Sequence, residues 1–173
     1  MAGSQRSDGD PFGVKVLLSM IGDLCRFRGG PHRFPSSKFL VGLLFLSDLT
    51  VSFLAGSFQE GPEFAILEAG FTSLLLGGFV VILLCGVQHS ERILSTLSAI
   101  YGADVLVTLV ALPFLFFGGS GTFFILLIVL WSLAILARIL KIALGVGWAL
   151  SWSLAVAFNF LSVGLVGLVF SSG

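Results

Sequence analysis

Asp48 and Asp104 are the residues of this 173-residue chain best placed to do chemistry, because each interrupts a long apolar run. A carboxyl group can hold and release a proton or a cation, and two of them can pass a proton along. Asp48 lies about ten residues into the first apolar run and Asp104 about eleven into the third. At about 1.5 Å per helical residue each sits ~15 Å from one bilayer boundary, close to the midplane. A carboxylate there costs at least ~2.5–3.5 kcal/mol on insertion scales, so each should face the bundle interior and find partners. Local candidates exist: Ser52 four residues after Asp48 with Ser47 and Thr50 flanking it, and Tyr101 and Thr108 on the stripe of Asp104. Burial favours the neutral carboxylic acid, which donates a hydrogen bond as well as accepting one. Two readings stay open. One is a proton or cation relay built on Asp48, Asp104 and Tyr101; the other is a pair of hydrogen-bonding ties between helices.

The remaining polar residues point away from catalysis. His32 and His89 fall outside the apolar runs, so no Ser–His pair forms within them, and no His/Cys/carboxylate grouping has metal-ligand spacing. Gly118-Gly-Ser-Gly-Thr122 lacks the lysine of a phosphate loop and reads as a tight turn. Cys25 and Cys85, sixty residues apart, read as small apolar residues in a reducing compartment. Glu68 is expected as an interfacial anchor, Arg138 and Lys141 as snorkelling topological signals, and Asn159 as a helix-packing contact. The expectation is a non-enzymatic protein with no cofactor, no metal and no nucleic-acid partner.

The elements that position these residues follow from composition. Hydrophobic residues make up 57% of the chain and charged ones 10%, and mean hydropathy is +1.10. A soluble domain carries about a quarter charged residues, so this chain is solvated by lipid. Its apolar runs predict five spans at about 38–58, 65–87, 93–117, 122–141 and 146–170. The last two come from one block of roughly 49 residues, which as one helix would exceed 70 Å. Arg138, Lys141, Gly145 and Gly147 mark its fold-back. All nine Lys and Arg residues then lie on one side, and basic loops stay in the cytosol. The expected topology is an inner (plasma) membrane protein with a cytoplasmic N-terminus and an outside C-terminus. No leader is visible, so the first span should remain in the bilayer.

Residues 1–37 form a cytosolic segment and 38–173 the transmembrane domain. In the former, Val14, Leu17, Leu18, Ile21 and Leu24 make one stripe of an amphipathic helix, expected at the inner membrane surface as an anchor or, alternatively, a docking site. Pro31 and Pro35 then break the chain. Gly145, Ala149, Ser153 and Ala157 form a small-residue ridge at four-residue spacing, suited to helix packing within the chain or in a homo-oligomer. Pro113 should kink or end the third span.

Two stretches carry a family likeness. Arg26-Phe-Arg-Gly-Gly-Pro-His-Arg-Phe-Pro-Ser36 is similar to the approach to span one in bacterial Yip-family proteins. Ser90-Glu-Arg-Ile-Leu-Ser-Thr-Leu-Ser-Ala-Ile-Tyr-Gly102, with Ala111-Leu-Pro113, resembles their loop into span three. The resemblance covers roughly Leu24 to the C-terminus and implies a membrane-organising or scaffolding role with membrane-protein partners and no catalytic residues. The expected fold is all-α: a polytopic transmembrane bundle of five helices preceded by an amphipathic interfacial helix. The expected function is that scaffold, or alternatively a small proton- or cation-coupled transporter.

Overall fold

Residues 14–26, 31, 34, 36–58, 61–115 and 121–170 are described by the structure, a computed structural model. Gly118, Gly119 and Ser120 of the expected tight turn, His32, Arg33 and everything before Val14 lie outside them. Among the described residues the chain is all-helical: α1 (Val14–Cys25), α2 (Lys38–Ser57), α3 (Pro62–Gly86), a 3₁₀ turn (Ser90–Arg92), α4 (Ile93–Leu115), α5 (Gly121–Leu144) and α6 (Trp148–Phe170). Helices α2 to α6 are each long and apolar enough to cross a bilayer, which is compatible with a multi-pass membrane protein.

Local chemistry sets the helix ends. Ser37 caps α2, its side chain accepting from Leu40 N. Span two starts at Pro62 rather than near residue 65, because proline needs no N–H donor in a first turn and Gly61 turns into it at φ 92°. Span four runs three residues past Lys141 to Leu144. Lys141 does not stop it, since its Nζ lies 4.1 Å from the ring centroid of Trp148 at the same end of the bundle. The helix stops instead at Gly145, whose φ of +68° suits a left-handed C-terminal cap. Pro113 lies inside α4, which continues to Leu115.

Antiparallel neighbours build the bundle. The α3–α4 and α5–α6 connections lie at the end where α2 begins, called proximal below; the α2–α3 and α4–α5 connections lie at the distal end. Helix α2 packs on α3 and α4, α4 on α5, α5 on α6, and α6 returns to α3. Helix α4 is the central one: half of its apolar window is buried against protein, against 11% for α2. Phe39, Leu67, Leu74, Ile82, Leu126, Phe160 and Val163 point outward, as side chains facing lipid do. The proximal half is closed by a packed core that includes Val80, Leu84, Ala99, Leu140 and Ala143.

The amphipathic helix α1 docks its stripe on α4. Ile21 and Leu24 are buried there, and a side chain at Gly102 would come within 3.0 Å of Ile21 Cδ1. Trp131 Nε1 donates to the Cys25 carbonyl at 3.2 Å, which carries the C-terminal end of α1 to the level of Leu106 and Trp131. Of the expected stripe, the side chains of Val14 and Leu18 lie outside the described residues.

Candidate functional site

The two aspartates meet. Helices α2 and α4 run parallel, and Phe45 packs edge-on against Tyr101 with ring centroids 5.4 Å apart. One turn further toward the distal end the same offset sets Asp48 beside Asp104, their carboxyl groups within hydrogen-bonding reach of each other. Helix α3 supplies the third side. A Cβ on Gly56 would lie 3.1 Å from Ala65 Cβ, so the α2–α3 hairpin closes tightly at its turn. Counting back equally along both arms of that hairpin brings Ser73 opposite Asp48, and Ser73 Oγ donates to Asp48 Oδ2 at 2.7 Å.

Tyr101 holds the other face of Ser73, its hydroxyl donating to the Ser73 carbonyl at 2.9 Å. It has room to do so because position 77 is glycine: a Cβ there would collide with the Tyr101 hydroxyl oxygen. Asp48 is 1% exposed, and its second oxygen, Oδ1, has no ordinary donor. The Asp104 carboxyl is the neighbouring acidic group that the Asp48 side chain meets. A hydrogen bond between two carboxyl groups requires a proton on one of them, and two ionised carboxylates would repel in apolar surroundings, with no cation among the described residues beside them.

Asp104 is half-buried and forms part of two cavities. One, of about 270 Å³, extends to the distal end past Ser52, Thr108, Thr72 and Glu68 to Gly56 and Ala65. It is a polar vestibule with Asp104 and Ser73 in its wall. The other, of about 180 Å³, lies between α3, α4, α5 and α6 and has mostly carbon walls. On the proximal side of the pair lies the packed core.

The expected partners of Asp48 within its own helix do not serve it. Ser47 Oγ donates to Leu43 O and Thr50 Oγ1 to Leu46 O, each bonding back to its own helix. Ser52 and Thr108 line the vestibule instead. Glu68, expected as an interfacial anchor, faces this cavity. Asn159, expected as a packing contact, borders the second one. The small-residue ridge is not brought to the site. Ala149, Ser153 and Ala157 lie exposed on the outer face of α6, while Gly145 belongs to the preceding turn rather than to the helix. Ser73 is the partner that sequence reasoning missed, and its mirror position across the tight hairpin was the available signal. Among the described residues no group of three His, Cys, Asp or Glu side chains could hold a metal ion.

Comparison with known proteins finds no matching family model, no similar curated protein and no similar solved structure. A Yip-family assignment has no support from them.

Proposed function

We propose that this chain is a small proton- or cation-coupled membrane carrier that uses Asp48 and Asp104 as its binding pair. The observation that carries this reading is the buried Asp48 carboxyl, its Oδ1 without a donor, set beside Asp104, which lines a polar vestibule. Such a pair takes up and releases a proton, and the vestibule supplies the route to one side of the membrane. Lys38, Arg92, Arg138 and Lys141 all belong to the proximal end, so the positive-inside rule makes that end cytoplasmic. The vestibule then opens outward, with the N-terminus in the cytoplasm of an inner (plasma) membrane. The reading needs no cofactor, no nucleic acid and no enzymatic step.

The test is purified protein in liposomes with a pH-sensitive dye inside. An imposed pH gradient should drive flux through the wild-type chain and not through Asp104→Asn, with helix content unchanged. Wild-type liposomes as tight as protein-free ones would sink the carrier reading.

One observation favours a second reading, the Yip-like scaffold that organises membrane proteins. Ala149, Ser153 and Ala157 present a small-residue face to lipid, where another helix could approach closely. In that case Ala157→Cys should crosslink to itself or to a neighbouring protein in native membranes. An Ala157→Cys chain that stays monomeric under oxidant speaks against it.

A further inference from the structure

Helix α1 enters the bundle rather than resting on its end. Ile21 faces the position of Gly102, and four residues on Cys25 shares a groove with Leu106, so α1 rises parallel to α4. Leu106 lies thirteen residues past the start of α4, and Trp131, which bonds the Cys25 carbonyl, lies thirteen before the end of α5. Both are about 20 Å along helices about 35 Å long, near the middle of the bilayer. The chain is back at the proximal end by Pro31 and Phe34, which share a cavity with Arg92.

That depth gives the outer face of α1 a charge that lipid cannot solvate. Ser19, Gly22, Asp23 and Arg26 line a groove of about 440 Å³ with Leu106 and Trp131. Arg26 is exposed and Asp23 half-buried, and among the described residues neither has an ion-pair partner. Charged side chains at this level are costly and face protein or water. Helices α4 and α5 supply only Leu106 and Trp131 to the groove. The next groove toward the distal end shares Trp131 and is walled by Val110, Phe114, Leu127 and Ile128, which lipid can cover. The α1 face is the part that needs a polar partner.

We propose that the partner is a second copy of this chain, the two α1 faces meeting in an isologous dimer with Asp23 of each copy paired to Arg26 of the other. The face carries both signs of charge, so it is its own complement, which is what a two-fold contact requires. An axis along the bilayer normal sets each residue at its own depth on the second copy. Asp23 and Arg26 differ by three residues, about 4.5 Å of rise, which a long arginine side chain spans. The two copies then form two charge-assisted hydrogen-bonded pairs. Such pairs gain little in water, but here the alternative is the same charges alone in hydrocarbon.

Gly22 is the second observation. A glycine inside a helix weakens it, and nothing in the chain uses the space: a Cβ there would meet no atom within 4 Å. Beside Asp23 and Arg26 it lets two α1 backbones approach closely. The dimer stands apart from the carrier reading and uses a different surface from the outer face of α6.

The experiment follows energy transfer between full-length chains carrying donor or acceptor labels at the C-terminus, diluted in phospholipid liposomes. Wild-type chains should show transfer that persists on dilution. Asp23→Arg alone and Arg26→Asp alone should each associate at least ~10-fold more weakly, because each sets like charges against one another at low dielectric. Mixing donor-labelled Asp23→Arg with acceptor-labelled Arg26→Asp should restore transfer, since every pair across the axis is then opposite in charge again. Gly22→Leu, which meets nothing within its own chain, should lose transfer with helix content unchanged. Ser19→Cys in a Cys85→Ser background should crosslink to its own copy under mild oxidant in native membranes. Wild-type chains that stay monomeric would overturn the inference and leave the groove to water. A mixture no stronger than its parts would overturn it in favour of a pair within one helix. Transfer untouched by Gly22→Leu and Asp23→Arg would move the contact to another face, and a Ser19→Cys crosslink only to a different protein would replace the second copy with that protein.

Discussion

Asparagine at position 48 should leave the bundle folded and remove the pH-driven flux, whereas alanine there should cost the fold itself about 1–3 kcal/mol. The two outcomes separate because the two substitutions remove different things. In Asp48→Asn the amide oxygen still accepts from Ser73 Oγ, and the NH₂ group donates to the Asp104 carboxyl across the α2–α4 contact. Every hydrogen bond of the site survives; only the shared proton is gone. In Asp48→Ala, Ser73 Oγ loses its acceptor, Asp104 loses its facing group, and a hole opens in a position 1% exposed. Helix content and thermal unfolding in detergent report the fold, and the dye-loaded liposomes report the proton. If the pair merely tied α2 to α4, Asp48→Asn would carry flux like the wild type. If Asp48→Asn also unfolded, the proton would be part of the structure, and the double variant Asp48→Asn/Asp104→Asn, with two neutral amides able to pair, should restore folding without flux.

The depth of these residues is legible in the amino-acid sequence, and their contact is not. Span number and approximate bounds come from runs of apolar residues, which is the signal a bilayer imposes most strictly. Where local chemistry overrides the run, the bounds move: Pro62 draws α3 earlier and Gly145 lets α5 run past Lys141. Which faces meet is a different matter. A soluble helix shows its inward face by amphipathic pattern, but a helix apolar all round carries almost none. Asp48 can be assigned to the interior because a charge must be, yet nothing in α2 says that the interior there means Ser73 and Asp104. Glu68 escapes sequence reasoning on the same ground. Near the distal end a carboxylate can turn to water either around the helix or into a vestibule, and only packing decides.

The amphipathic helix is the exception, and it yields the other large effect. In the folded chain Cys25 should resist maleimide, and Gly102→Leu should release it. Cys25 is 3% exposed, and burial pushes its thiol from the ordinary 9.0 up to about 11. Only the thiolate reacts, so near neutral pH a two-unit rise leaves about a hundredfold less reactive form than in the denatured chain. The sign gives a signature as well. Labelling of Cys25 should still climb steeply at about pH 10, where an ordinary thiol has levelled off. Cys85, exposed on α3, provides the internal positive control. A leucine at 102 starts from a Cβ 3.0–3.1 Å from the Ile21 side chain and extends further into it, so α1 must lift from α4. The Trp131 bond to the Cys25 carbonyl then breaks, and the labelling rate should approach that of the denatured chain with its midpoint back near pH 9. Ile21→Ser should do the same from the other side of the contact while leaving α4 untouched. Fast labelling in the wild type would mean that α1 does not dock. Slow labelling in both variants would mean that something other than the Ile21–Gly102 contact holds it. Because a side chain at Gly102 would also meet Leu44, on the turn before Asp48, flux measured in Gly102→Leu and in Ile21→Ser tells whether the N-terminal helix merely anchors or also steadies the carboxyl pair.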